Sequence, residues 1–447
     1  MKKLLSLVLA LAMVMSMVVF STASADETVK LTFSSWGDAA EKAILESALA
    51  AFTADTGIEV EYLYTPDDYI TKLTTMAAAN ELPDVGYLSE PNVVQWANEG
   101  MLKDISDVLE SGNVEDKMDI AKFVNKDGEV VGVSVAVETI VIFYNPTYFD
   151  QMGVAYPPST ADTAWTWDEF VEVCRQLTVD QNGKHPGEDG FDPNNIKTYG
   201  VKLDDAQYVY EPLVRSNNSG IFTNDGTSIG LADDATVEVF QAIADLINVE
   251  HVAPSAGDAA SSMDISSCFL SNSCAMVITG QWSFQSLAIA AEEDGITYDV
   301  GVLPYFQKPV TVNTGTPIVV FRDTQHEEEA KLLASYILNT EFVMDFIKSG
   351  LWQPVSENWY TDEALISQWL TEGVHSAHYK EAVIDYCLQC TEQNSYFTIG
   401  CTSQIEDLYL AALDNVLLGT TTAREAMDGI IDEANKVMSD YLASVGK

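Results

Sequence analysis

Val29, Leu31 and Phe33 alternate with polar residues, the period-two pattern of a half-buried strand. Ser34-Ser35-Trp36-Gly37 breaks the alternation, and Asp38 followed by Glu41 gives a capping-box-like start to a helix over 39–56. Gly57 stops that helix, and Ile58, Val60 and Tyr62 alternate again as a second strand. The crossover of such a strand–helix–strand unit is right-handed and its strands are parallel. A second helix is predicted over about 68–80, and Pro83 leads into a strand over 84–88. The loops 34–37 and 89–91 then both leave the carboxyl ends of strands, the edge at which an open, mainly parallel sheet binds ligands.

Residues 128–137 and 139–144 read as consecutive strands broken at Glu138, and Thr166 with Glu169 caps a helix over 167–177. The segment 180–195, rich in Gly, Asp, Asn and Pro, is an exposed loop. Helices follow over 207–216, 233–249 and 263–271, then an apolar strand 275–279 running into Gly280-Gln281-Trp282. Strands near 298–303 and 317–321 precede a largely helical remainder. Strand and helix patterns that alternate in this way define an α/β protein. Without a short-period repeat or a heptad run, solenoids and coiled coils are excluded.

Length and composition refine this picture. At 447 residues the chain is long enough for two or three domains, each with its own core. It carries 22 Lys+Arg against 68 Asp+Glu, a formal net charge of −46, yet 47% of its residues are hydrophobic. The acidity is therefore a coat on a folded protein and not the signature of a disordered one. Such a surface repels phosphate backbones and anionic headgroups, which argues against nucleic acid or membrane as partner. Lys2 and Lys3, the apolar run 4–20 and Ala23-Ser24-Ala25 make a signal peptide, so the expected protein is exported and cleaved after Ala25. No cysteine lies near that site for lipid attachment, leaving a periplasmic, extracellular or cell-surface location.

Six cysteines, Cys174, Cys268, Cys274, Cys387, Cys390 and Cys401, lie in the exported part, where several disulfide pairings stay open. Cys268 and Cys274 bracket a short turn, Cys390 and Cys401 bracket another, and Cys387 and Cys390 have the spacing of a redox or half-zinc motif with no matching second pair. The histidines are scattered, with His375 and His378 expected on a solvated helix face. No metal or cofactor is expected.

The segments LTFSSWGD (31–38), DDYITKLTTMAAANELPDVGYL (67–88), NEGMLKDIS (98–106), DGEVVGVSVAVETIVIFYNPTYFDQMGV (127–154), TWDEF (166–170), CFLSNSCAMVITGQW (268–282) and VGVLPYF (300–306) resemble, in order and spacing, the extracellular solute-binding proteins of ABC importers. The resemblance is to the branch that includes maltose- and other oligosaccharide-binding proteins. It implies two α/β lobes, each with a mainly parallel sheet, joined by a hinge that closes on the ligand. After the signal peptide 1–25, the first lobe would hold 26–137 plus 300–345 and the second 138–299 plus 346–447. It further implies a monomer that captures a mono- or oligosaccharide and delivers it to a membrane permease. The absent lipid-attachment cysteine and the six cysteines depart from the family pattern.

A neutral sugar offers hydroxyl rims and apolar faces, so its site needs aromatic plates together with carboxylates, amides or backbone groups. Trp36, in the loop after the first strand, either faces the cleft or packs on the following helix; Asp38 either caps that helix or touches ligand. The resemblance places Glu138 at the hinge as a ligand contact and Trp282 as a stacking tryptophan. Tyr208, Tyr210 and Glu211 lie where the maltose-binding branch uses an aromatic, although helical spacing buries at least one tyrosine. Glu90 and Trp352 complete the candidates, while Trp96, Trp165, Trp167 and Trp359 are assigned to packing or surface.

Acid pairs such as Asp67-Asp68 and Asp204-Asp205 are inevitable in so acidic a chain and do not indicate a glycosidase, and the His-Glu-x-x-His and Walker motifs are absent. Two other readings remain beside the sugar receptor: a receptor of the same fold for a polyamine or other small cation, and a secreted glycan-degrading enzyme.

Overall fold

The computed structural model describes residues 29–112, 114–223 and 225–446. The signal peptide expected over 1–25, with its cleavage after Ala25, lies outside the described residues. β1 (Lys30–Ser35), α1 (Ala39–Thr56) and β2 (Glu59–Tyr64) form the expected strand–helix–strand unit, with β1 and β2 parallel. α1 starts where Asp38 accepts the amides of Ala40 and Glu41, each at 2.8 Å. It ends at Gly57, whose φ of 76° lets its amide turn back to Thr53. α2 (Tyr69–Ala79), β3 (Val85–Tyr87) and α3 (Glu90–Asn98) continue the first lobe, which is completed by β4 (Lys122–Val124) and β5 (Val130–Ser134).

The second lobe begins at β6 (Glu138–Tyr144) and adds α4 (Pro146–Met152), α5 (Trp167–Leu177), β7 (Val179–Asp180) and β8 (Ile196–Leu203). α6 (Gln207–Ser216), α7 (Asp234–Asn248), α8 (Ile265–Ser271), β9 (Cys274–Gly280) and α9 (Ser283–Asp294) follow. The capping box of α5 is complete: Thr166 and Glu169 each bond the other's backbone amide. Next come β10 (Asp299–Gly301), β11 (Thr311–Thr314), β12 (Pro317–Val320) and α10 (Glu327–Leu338). Short helical turns then lead to β13 (Thr391–Glu392), α11 (Thr402–Leu417) and α12 (Ala423–Ser444).

The strands make two sheets, ordered β2-β1-β3-β12-β5-β4 and β13-β11-β6-β9-β8-β7, with β10 also on β6. Both sheets are mixed, which corrects the expectation of mainly parallel ones. β12 runs antiparallel between β3 and β5, and β6 runs antiparallel to β9, β10 and β11. The lobe boundaries move for the same reason. β10 and β11 bond to β6 and so belong to the second sheet, and the chain returns to the first sheet between Thr314 and Pro317, not at 300. The segment after 346 also contacts the first lobe, where Lys117 bonds Ser356 and Trp359 bonds Glu115.

Three stretches lie side by side where the lobes meet. The first, 135–137, donates from Val135 to the Thr316 carbonyl (3.0 Å) and from Val137 to that of Gln353 (3.2 Å). Gln353 in turn accepts the amide and hydroxyl of Thr139. Gly315 is fixed by crowding: a Cβ there would lie 1.9 Å from the Ser134 hydroxyl and 2.4 Å from the Ala136 carbonyl. Hydrogen-bonded connections of this kind bend as a ribbon, which is what a hinge between two rigid bodies requires. The C-terminal segment also bridges the seam, since Phe397 stacks on Phe123 with centroids 4.3 Å apart and Thr402 donates to the Pro91 carbonyl.

Candidate functional site

The first-lobe wall of the cleft is aromatic. Trp36 follows β1 and stands edge-on to Tyr69 (5.3 Å) and Tyr87 (4.9 Å). Tyr69 is held by donating to the Tyr87 carbonyl at 2.8 Å, so the three rings form one braced group. A recess of about 380 Å³ opens beside Trp36, walled by Asp68, Tyr69, Thr71 and Ser89. Asp68 sits at φ 52°, a left-handed conformation that an L-residue adopts at a cost of about 1–2 kcal/mol, and its side chain makes no cap bond to α2. Glu41 turns inward from the first turn of α1 and lies over Gly37, where a Cβ would come within 2.1 Å of its Oε2. Burial, followed by the charges of Asp38 and Glu138, pushes its carboxyl up to about 8.

Two more carboxyls come from the hinge. Glu138, the first residue of β6, pairs in register with Thr314 and accepts its hydroxyl at 3.1 Å. It is 9% exposed, and burial raises its pKa to about 7 against the opposing bond from Thr314. Glu90, at the start of α3, accepts the amide of Gly315, the next residue along that strand. Its Oε1 is buried with no hydrogen-bond partner. Burial and then the charge of Glu138 raise Glu90 well above the usual carboxylate range.

The second-lobe wall is built at the carboxyl ends of β8 and β9. Gly280 leaves room for Trp282, whose ring occupies the space where a Cβ would sit, 1.8 Å from the nearest ring atom. Tyr208 meets Trp282 edge-on at 5.2 Å and is raised by burial and by Asp204, with a smaller contribution from Glu138. Asp204 is fixed by the hydroxyls of Thr279 (2.5 Å) and Tyr208 (3.4 Å). A separate cavity of about 430 Å³ lies behind this wall, between Asp205, Tyr210, Ile243, Leu246, Asp414 and Leu417. Two half-buried indoles on opposite lobes, with carboxyls at the hinge between them, are suited to hold a small polar ligand that has flat apolar faces.

The description "bacterial extracellular solute-binding protein" matches residues 47–372, which is most of the chain. The chain belongs to that family. An ABC substrate-binding protein from Listeria monocytogenes in complex with cycloalternan superposes on it with a TM-score of 0.79 at 23% identity, covering 92% of this chain and 100% of that one. A receptor of Streptomyces glaucescens, solved unliganded and with acarbose, gives 0.75 at 17%, covering 93% and 99%. Both share the two-lobed fold. An arabinooligosaccharide-binding protein of Halalkalibacterium halodurans is 28% identical over 189 residues, 42% of this chain and 37% of that protein. The family and these relatives are binding proteins.

In this solute-binding protein the expected site residues divide into two groups. Trp36, Glu90, Glu138, Tyr208 and Trp282 come together around the cleft. Glu211 does not: it is fully buried on α6, where it accepts from Gln207 (2.6 Å) and from Arg215 Nε (2.8 Å), with Ser395 at 3.3 Å. Trp352 is 1% exposed and stacks on Phe346 at 4.1 Å, so it buttresses Tyr87 and has no open face. Asp38 is the α1 cap and reaches the cleft only through its charge on Glu41. Tyr210 is buried, with its hydroxyl donating to Asp205 at 2.6 Å.

Glu41 and Asp68 are the cleft residues that sequence reasoning missed. Glu41 had the spacing of a capping-box partner, a role its inward carboxyl does not take. For Asp68 the one signal was an acid just ahead of a helix. His375 and His378 are likewise not on a solvated helix face. His375 packs against Tyr379 (4.5 Å) and Trp369, burial lowers its pKa to about 4, and His378 meets Asp299 at 2.6 Å. All six cysteines are free thiols.

Proposed function

We infer that this solute-binding protein is the exported capture component of an ABC importer and that its ligand is a saccharide. What supports the reading is the pairing of residues at the hinge: Trp36 is braced on Tyr69 and Tyr87 in one lobe, Trp282 on Tyr208 in the other, and the Glu138 carboxyl between them acts on both Glu41 and Tyr208. A ligand shifts a hinge equilibrium only by binding the closed form better, which requires contacts from both lobes. The N-terminal pattern ending at Ala25 supports export. The closed monomer would then dock on a membrane permease. The protein performs no reaction on its ligand.

A thermal-shift screen over mono- and oligosaccharides tests this, because a ligand at 100 times its dissociation constant stabilises the folded protein by about 2.7 kcal/mol. A shift with one saccharide class, with no release of reducing ends, is the expected result. Shifts with linear polyamines alone, or hydrolysis of the saccharide, would overturn it.

A further inference from the structure

Glu41, Glu90 and Glu138 approach the cleft from three different elements, and two of them are tied to adjacent residues of one strand. Glu138 holds the Thr314 hydroxyl and Glu90 holds the Gly315 amide, which brings the two carboxyls to the same end of the hinge, close enough that Glu90 feels the charge of Glu138. Glu41 reaches toward them over Gly37 and feels the charge of Glu138. No lysine or arginine stands among the groups that act most strongly on the three carboxyls; those are Asp38, Glu211 and Glu406. Arg215, on α6, is already shared between Glu211 and Glu392. The Oε1 of Glu90 is buried without a partner, a full acceptor waiting for a donor.

A neutral hydroxyl supplies one proton to such a group and no charge. A primary ammonium has three donors and no acceptor, one for each carboxyl, and brings the missing positive charge. Resting on the saccharide reading, we propose that the ligand is an aminated saccharide, a sugar whose protonated amine seats among Glu90, Glu138 and Glu41 while its ring lies against Trp282. The amine takes the place of the protons that burial holds on these carboxyls, which leave to solvent as it binds, and the indole supplies the apolar plate. Each carboxyl keeps one oxygen on the protein and turns the other to the ligand.

Titration calorimetry at neutral pH on the full folded protein tests this with matched sets that differ only at one carbon. Glucosamine, galactosamine and mannosamine and chitosan oligosaccharides are compared with their N-acetylated and their hydroxyl counterparts, and with spermidine. The expected result is that one aminated member binds about tenfold or more tighter than both of its counterparts. Glu138→Gln and Glu90→Gln should each collapse that ratio, whereas a purely structural role would weaken both members of a matched pair alike and leave the ratio unchanged. Glu41→Gln serves if either variant fails to fold. Tighter binding of a hydroxyl or N-acetyl member overturns the amine and leaves the saccharide reading standing. Binding of spermidine without any sugar, or silence across the panel, overturns both.

Discussion

Replacing Glu138 with glutamine keeps the acceptor for Thr314 and removes only the ionisable group. Burial holds the Glu138 carboxyl at about 7 against the usual 4.5. The distance from 4.5 to about 7, at about 1.4 kcal/mol for each tenfold change in proton affinity, corresponds to about 3.5 kcal/mol. An acid whose folded pKa lies above its unfolded value binds its proton more tightly when folded. Its contribution is therefore complete below pH 4.5 and is lost as pH rises through about 7. The variant should match the parent near pH 4, gain on it progressively between pH 4.5 and 7, and hold a constant lead above that. The full figure is a ceiling, because the lobes can swing apart and rehydrate the carboxyl. A lead of about 1–3 kcal/mol at pH 8 is expected. Urea denaturation of both ligand-free proteins across this pH series measures it. An offset that does not change with pH, or a variant weaker than the parent at pH 8, would refute the argument.

Three further outcomes follow from the packing. Gly280→Ala should displace the Trp282 ring and weaken ligand affinity by about tenfold or more in calorimetry without lowering the melting temperature by more than a few degrees, and Trp282→Ala should do the same. Glu211→Ala strands the Arg215 guanidinium in the interior and should cost about 3–5 kcal/mol in denaturation experiments; a loss below about 1 kcal/mol would show that Glu392 alone satisfies it. Phe397→Ala removes a stack worth about 0.5–1.5 kcal/mol across the seam, so the ligand-free protein should become more open, read as a larger radius of gyration in X-ray scattering, while an unchanged radius would mean the stack does not bias closure.

Much of the fold was legible in local pattern. The helix over 39–56, the caps at Asp38 and Thr166 and the strand before Trp282 depend on neighbours a few residues away, and periodicity reports those directly. Strand direction was not legible, because whether β6 runs with or against β9 depends on the route of the chain between them. Nor was the fate of individual acids. Glu41 and Glu211 both sit on amphipathic helices, yet one turns into the cleft and the other into the core, according to what packs opposite. Trp282 and Trp352 illustrate the same limit: the space left by Gly280 brings one to the cleft, and Phe346 buries the other.

The position of β12 has a consequence for how the chain assembles. It closes the first sheet by pairing Val320 with Val85 and Pro317 with Ser134, so partners meet only after β6 to β11, most of the second sheet, have been laid down between them. The second-lobe stretch 138–314 is nearly contiguous and can settle early, but β3 keeps an open edge until β12 arrives. Contacts of such long sequence separation slow folding, since loop closure must precede any reward from pairing. The leading lobe therefore cannot lock before its trailing strand has been made.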